Sequence, residues 1–286
     1  MREVIAQLLK KIHSGETAVL VTIIDAKGSS PRGKGAAMAV DESGLLAGSV
    51  GGGKVEALAL QQAAECLKTQ SSCVRNFVLQ PYGDEAIGMA CGGEVTLSFE
   101  PLAQTDAARL LAMLDALKEE RVLIYGGGHV GHALAPLLRS IGFSVWVLDD
   151  RPTFALPERF PAADRVLLCD YDRLFDFADI RDGDYHVVVT DGHQHDFAVE
   201  NQILRHPFAY VGVIGSRKKT KAVNDRLRDA GIPEETLAKI HAPIGLDIKA
   251  KTPAEIAVSI AAELIAERAK LREKNEASVA RMDAQE

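Results

Sequence analysis

One short stretch near the middle of the chain, Val122–Gly131 (VLIYGGGHVG), constrains the possible folds more than any other. A β-branched run leads into Gly126-x-Gly128-x-x-Gly131, a helical pattern follows, and Asp149 and Asp150 close a second apolar run downstream. In such a setting the first glycine permits a tight turn and the second lets the backbone approach a diphosphate. The third lets helix and strand pack closely. A helix beginning at His129 then presents unpaired N–H groups and a positive dipole end to an anion. An acid about 20 residues beyond the glycines is placed for a ribose hydroxyl, which assigns that role to Asp149. The pattern predicts a Rossmann-type unit. It also invites a reading as an NAD-dependent dehydrogenase, against which the rest of the chain argues.

At 286 residues the chain has room for two domains of ordinary size. A composition of 47% hydrophobic and 26% charged residues is that of a soluble globular protein. The net charge of −7 argues against a nucleic-acid surface, which needs excess Lys and Arg. No apolar run approaches the roughly 20 residues of a membrane span, and MREVIAQLLKKIHSGE mixes charge with apolar residues, unlike a signal peptide. The expectation is a cytoplasmic protein with neither nucleic acid nor membrane as a partner. Cys66, Cys73, Cys91 and Cys169 form no CxxC pair, so neither a zinc knuckle nor a disulfide framework is indicated, and no metal site is expected. Cys66 and Cys169 read as buried small hydrophobes.

Residues 2–13 read as an amphipathic helix and Ala18–Asp25 as a buried strand. Ala36–Val40 and Leu45–Val50 form a predicted hairpin, a helix runs from Gly51–Gly53 to about Lys68, and 74–79 and 94–99 are further strands. Thr105–Glu120 has helical periodicity with a Thr-Asp start signal and reads as a connector. Strands near 122–126, 144–149, 185–190 and 210–214 then alternate with helices at 129–140, 197–205, 217–230 and 253–270, which means a parallel doubly wound sheet. The fold class is therefore α/β: a small N-terminal α+β domain followed by a Rossmann-like doubly wound parallel sheet. The expected boundaries are 1–104, a helical linker over 105–120, 121–275, and a flexible tail over 276–286.

Several loops carry residues suited to chemistry. Gly48–Lys54 (GSVGGGK) has P-loop spacing, but Val55 stands where that motif needs Ser or Thr for Mg²⁺, so ATP hydrolysis is disfavoured. The amides of Gly51, Gly52 and Gly53 beside Lys54 still suit a phosphate or a pterin phosphate, the alternative being a turn that merely allows close packing. Lys27–Gly35 gathers Ser29, Ser30, Arg32 and Lys34 on one strand-end loop, either as an anion site or as a solvated basic turn. Cys91-Gly92-Gly93 puts a thiol on open backbone, where nearby cations such as Arg32 or Lys54 would favour the thiolate. In the second half, Asp191–Asp196 (DGHQHD) follows a buried strand, with His193 and His195 better suited to ligand contact than to a metal. Gly215-Ser216-Arg217-Lys218-Lys219 repeats the helix-start anion pattern.

Together and in this order, these segments resemble the XdhC/CoxI family of xanthine dehydrogenase accessory factors. The matching stretches are GSSPRGKGAAMAV, LLAGSVGGGKVE, ACGGEVTLSFEPL, VLIYGGGHVGHALAPL, VLDDRPTFA, VVVTDGHQHD, GVIGSRKK and IHAPIGLDIKAKTPAEIAVSIAAELI, spanning about 18–268. The resemblance implies a family-specific N-terminal domain, a Rossmann domain, and a role in maturing molybdenum hydroxylases. Such a protein binds molybdenum cofactor (molybdopterin), protects it during sulfuration and passes it to the apo-hydroxylase. A cysteine desulfurase and the apo molybdenum hydroxylase would be its partners, and a homodimer its expected state. The CGG cysteine, Cys91, is implicated in holding the cofactor. Two departures stand out: Lys54 occupies a position where many relatives have cysteine, and Lys249 one where glycine is common. The Rossmann unit would hold NAD(P) or another nucleotide. The rival functions are an NAD(P)-dependent oxidoreductase, for which no persuasive catalytic Lys/Tyr or His/acid pair is found, and a nucleotide-responsive scaffold.

Overall fold

The computed structural model describes residues 1–80, 82, 86–87, 92–117 and 119–283. The chain divides into two compact units, Met1–Lys118 and Glu119–Glu286. In the first, strands β1 (Ala18–Lys27), β2 (Ala37–Asp41), β3 (Gly44–Gly48), β4 (Cys73–Val78) and β5 (Glu94–Leu102) form one sheet in the order β3-β2-β1-β5-β4. Every neighbouring pair is antiparallel. Alternation along β1 divides the core in two, because successive side chains point to opposite faces. Val19, Val21 and Ile23 meet Val55, Ala59 and Ala63 of helix α2 (Gly53–Thr69). Ala18 and Leu20 meet Ile5, Leu8 and Ile12 of α1 (Arg2–His13) and Leu110 of α3 (Ala107–Ala116). The helix over 107–116, expected to act as a connector, thus contributes its apolar face to the core of the first unit.

The second unit carries β6 (Arg121–Tyr125), β7 (Ser144–Asp149), β8 (Arg165–Leu168), β9 (Tyr185–Val188), β10 (Tyr210–Val213) and β11 (Ile240–His241). All pair in parallel, in the order β11-β10-β9-β6-β7-β8. Counted from β6 this is the doubly wound order 3-2-1-4-5-6, whose direction reverses between β6 and β9. Helices α4 (His129–Ser140) and α9 (Pro253–Asp283) cover one face through Leu134, Leu138, Ile260 and Leu264. Helices α6 (His193–Ile203) and α7 (Arg217–Asp229) cover the other through Val199, Ile203, Val223 and Leu227, after a short α5 (Leu174–Phe177). A further turn of helix, α8 (Glu234–Leu237), precedes β11. The fold is the mixed α/β arrangement expected, with two differences in detail. Strands β8 and β11 escape the hydrophobic pattern because they are short and only partly buried at the sheet edges. Helix α9 continues to Asp283, past the start of the expected tail, over a sequence rich in good helix formers. Among the described residues no helix is long and apolar enough to cross a membrane.

Candidate functional site

In the first unit, the loops singled out by sequence meet at one end of the antiparallel sheet. Gly93 lies so close to the β1 loop that an added Cβ would stand 2.4 Å from the Ser29 carbonyl and 2.5 Å from that of Lys27. A Cβ added at Gly28 would stand 3.2 Å from Gly93 Cα, and one added at Gly51 would stand 3.2 Å from the Pro31 side chain. Paired bonds, Gly92 N–H to the Leu79 carbonyl (2.7 Å) and Leu79 N–H to the Gly93 carbonyl (2.8 Å), fix the approach to β5. The segments 27–35, 51–53 and 92–93 are therefore neighbours, and Arg32, Lys34 and Lys54 are all exposed there. Ser30 turns its hydroxyl onto the Arg32 carbonyl at 2.9 Å, which shapes the basic loop. Cys91 itself lies outside the described residues.

The glycine turn has an internal occupant that sequence reasoning missed. Gly51, Gly52 and Gly53 all have positive φ (132°, 69° and 56°), a run that favours glycine throughout, and it orients amides as an anion nest does. The carboxylate of Glu56, one turn into α2, accepts from Gly52 N–H (3.3 Å) and from the Ser49 hydroxyl (2.6 Å). Ser49 Oγ in turn accepts from Gly51 N–H at 3.2 Å. A carboxylate in the first turn is favoured by the orphan amides and the dipole. The turn is thus built for an anion and already holds a protein one, while Lys54 stands beside it.

In the second unit the three glycines of the fingerprint separate by role. An added Cβ would meet the Val189 carbonyl at 2.4 Å at Gly126 and the Gly126 carbonyl at 2.1 Å at Gly131. At Gly128, directly before His129 at the start of α4, nothing lies within 4 Å. Gly126 and Gly131 therefore serve close packing, and Gly128 and the exposed His129 leave open space over the helix start. Asp149 is where the fingerprint puts it, at the end of β7, but it does not face solvent. Its side chain is fully buried. Oδ2 accepts from Gly127 N–H at 2.6 Å and Oδ1 from Arg151 N–H at 2.9 Å. The Arg151 guanidinium also donates to it twice, at 2.8 Å each, while reaching Asp191 at 2.8 Å and lying 3.9 Å over the Phe154 ring. Burial alone would raise the Asp149 carboxyl, but the bonds from Arg151 and Gly127 outweigh it and hold it below the usual range. A ribose would have to displace Arg151 to reach this carboxylate. The Asp-Asp-Arg sequence carried the signal, since an arginine two residues past a buried acid is within reach of it.

Helix α7 begins just past the carboxyl end of β10, at Arg217 as expected, whereas α6 begins at His193, four residues before the expected 197, so His193–Asp196 form its first turn and are not part of a loop. His193 opens α6 and is exposed, and Ser216 caps α7 by accepting from Lys219 N–H at 3.3 Å with Arg217 exposed beside it. The two starts are joined by Lys219 Nζ, which sits 2.5 Å from the buried Asp196 carboxylate. His195 makes a 2.9 Å bond to Asp191, and so connects to the Arg151 network. Among the described residues no cluster of His, Cys, Asp and Glu has the makings of a metal site.

Comparison with known proteins agrees with this architecture. Residues 122–264 match the XdhC Rossmann domain and residues 12–78 match the XdhC and CoxI family model. The chain is 30% identical over 247 residues to the uncharacterized Escherichia coli protein YqeB, covering 86% of this chain but only 42% of that protein. It is 25% identical to a probable xanthine dehydrogenase subunit from Bacillus subtilis, covering 89% of this chain and 94% of that protein. It is 26% identical to the molybdenum cofactor insertion chaperone PaoD of E. coli, covering 92% and 87%. A Bacillus halodurans protein whose crystal structure was described as a xanthine dehydrogenase shares the fold, with a TM-score of 0.81 at 24% identity over 93% of this chain and 96% of that one. With both units matched in order and the Rossmann model covering half its length, the chain belongs to the XdhC and CoxI family.

Proposed function

We propose that the chain is an accessory factor, not a catalyst, which binds molybdenum cofactor and inserts it into an apo molybdenum hydroxylase of the xanthine dehydrogenase type. The observation that carries this reading is the likeness to the insertion chaperone PaoD over 92% of the chain. The site chemistry supports it. An anionic pterin phosphate calls for oriented amides and cations, and the first unit offers the Gly51–Gly53 turn with Arg32, Lys34 and Lys54 around it. The Glu56 carboxylate on the Gly52 amide is the group an incoming phosphate would replace. Cys91 would add a soft thiolate for molybdenum, next to the Gly92–Gly93 pair. In the same proposal a cysteine desulfurase supplies the terminal sulfur while the cargo is held, and the protein acts as a cytoplasmic homodimer. The second unit takes NAD(P) or another nucleotide at the crevice between β6 and β9. An NAD(P)-dependent oxidoreductase is the second reading, favoured by the strand order and the Gly126–Gly131 turn.

The test is to purify the protein from cells able and unable to make molybdopterin. Molybdenum and the fluorescence of oxidised pterin should accompany it from the competent strain alone. Protein free of pterin from that strain, together with oxidation of NADH by a small acid, would replace the carrier reading with the oxidoreductase one.

A further inference from the structure

Between α6 and α7, under the end of β10, lies a cavity of about 10 Å³, close to the space needed for one water molecule. Two buried carboxylates border it, and they are unequally served. Asp196 has Lys219 Nζ at 2.5 Å and the Thr190 hydroxyl at 2.5 Å, so its charge is met. Glu200, only 1% exposed, has no such partner among the described residues. Its Oε1 is buried without a hydrogen bond, and so are Thr220 Oγ1 and Asn224 Oδ1 from α7 and Asp196 Oδ2, which line the same space, although Asp196 Oδ2 keeps its ion pair with Lys219. Apolar side chains, Val213 and Val223 among them, complete the wall.

Unpartnered oxygens around a void of atomic size, with a carboxyl group that has no counter-ion of its own once ionised, describe a site for a hard cation, which takes oxygen ligands. One positive charge balances Glu200, because Lys219 already balances Asp196. A divalent ion would leave an excess charge in the interior. We propose that this cavity binds a single monovalent cation, sodium by its size, through Glu200, Thr220 and Asn224. The ion ties α6 to α7 within a few turns of the loops that precede them, 190–192 and 214–216, and nothing in the carrier role depends on it.

A proton competes with the ion for Glu200. Burial, with the neighbouring Asp196 charge, pushes this carboxyl up to about 8, against the opposing pull of Lys219. The other charges facing it are Asp196 on its own helix and Lys219 on α7, with His193 acting on Asp196. Sodium binding therefore releases a proton and strengthens as pH rises through 8.

The experiment compares the melting temperature of the full chain in sodium, potassium and choline chlorides at equal ionic strength, at pH 7 and pH 9. The expected result is a melting temperature a few degrees higher in sodium, with the gap wider at pH 9. The gap should vanish in Glu200→Gln, and broadening of the ²³Na resonance by the wild-type protein should vanish with it. If that variant does not fold, Asn224→Ala replaces it. Equal melting temperatures in all three salts at pH 9 would overturn the proposal.

Discussion

Replacing Asp149 tests whether this carboxylate is a strut or a ligand group. Asp149→Ala removes the acceptor of the buried Gly127 N–H, a 2.6 Å bond to a charged oxygen. Bonds of that kind contribute about 1.5–3 kcal/mol, and the orphaned amide carries the loss. It also removes one of three carboxylates around Arg151, whose side chain is 31% exposed and keeps Asp191 and, at 4.0 Å, Asp150. Solvent screening limits that part to about 1 kcal/mol. Asp149→Ala should therefore destabilise the second unit by about 3 kcal/mol. Asp149→Asn, which retains an acceptor for Gly127, should cost about 1–2 kcal/mol. Urea unfolding followed by the fluorescence of Trp146 is the assay, since the single tryptophan is buried on β7, beside the perturbed site. The sign of the pH effect follows from the lowered carboxyl. Its stabilisation is fully present above the unfolded value of about 3.9 and is lost as pH falls through the folded one, so the gap between wild type and Asp149→Asn should be complete at pH 7 and close in acid. An Asp149→Ala protein within about 0.5 kcal/mol of wild type at pH 7 would refute the strut role.

Gly131→Ala should cost at least about 2 kcal/mol or prevent folding, because its Cβ would stand 2.1 Å from the Gly126 carbonyl, whereas Gly128→Ala, with open space, should cost under about 1 kcal/mol; denaturant midpoints decide. Lys249 holds φ at +61°, so Lys249→Gly should raise stability by about 0.5–1 kcal/mol, read as a higher melting temperature. Glu56→Ala empties the Gly51–Gly53 turn of its internal anion, and inorganic phosphate should then raise the melting temperature more than it does for wild type; no added phosphate effect would contradict the nest.

Much of this was legible in the sequence, for physical reasons that can be named. The buried strands β6, β7, β9 and β10 showed as continuous β-branched and apolar runs, because a parallel sheet covered on both faces needs them. Strands β8 and β11 did not, since edge strands this short carry too few buried residues to leave a pattern. Gly93, Gly126 and Gly131 were legible because a Cβ there would run into backbone, and Gly51–Gly53 because all three hold positive φ. Lys249 was visible as a departure from glycine, and its positive φ gives that departure a cost. What sequence could not supply was the partner of each polar group. Asp149 was read as facing a ligand and instead faces Gly127 and Arg151. The Gly51–Gly53 amides were read as open to phosphate and are partly taken by Glu56. Asp196, Glu200 and Lys219 meet only because two helices pack side by side, a juxtaposition that no local spacing encodes.

Delivery of cargo is the central claim, and reconstitution measures it directly. Protein purified with pterin bound is mixed with an apo molybdenum hydroxylase, and hydroxylase activity is followed against the amount of cargo supplied. Activity should rise in proportion to the bound pterin, and Cys91→Ala protein should activate less; undiminished activation by that variant would remove Cys91 from the mechanism while leaving the carrier role standing. A pterin-loaded wild-type protein that leaves the apo-hydroxylase inactive would contradict the account.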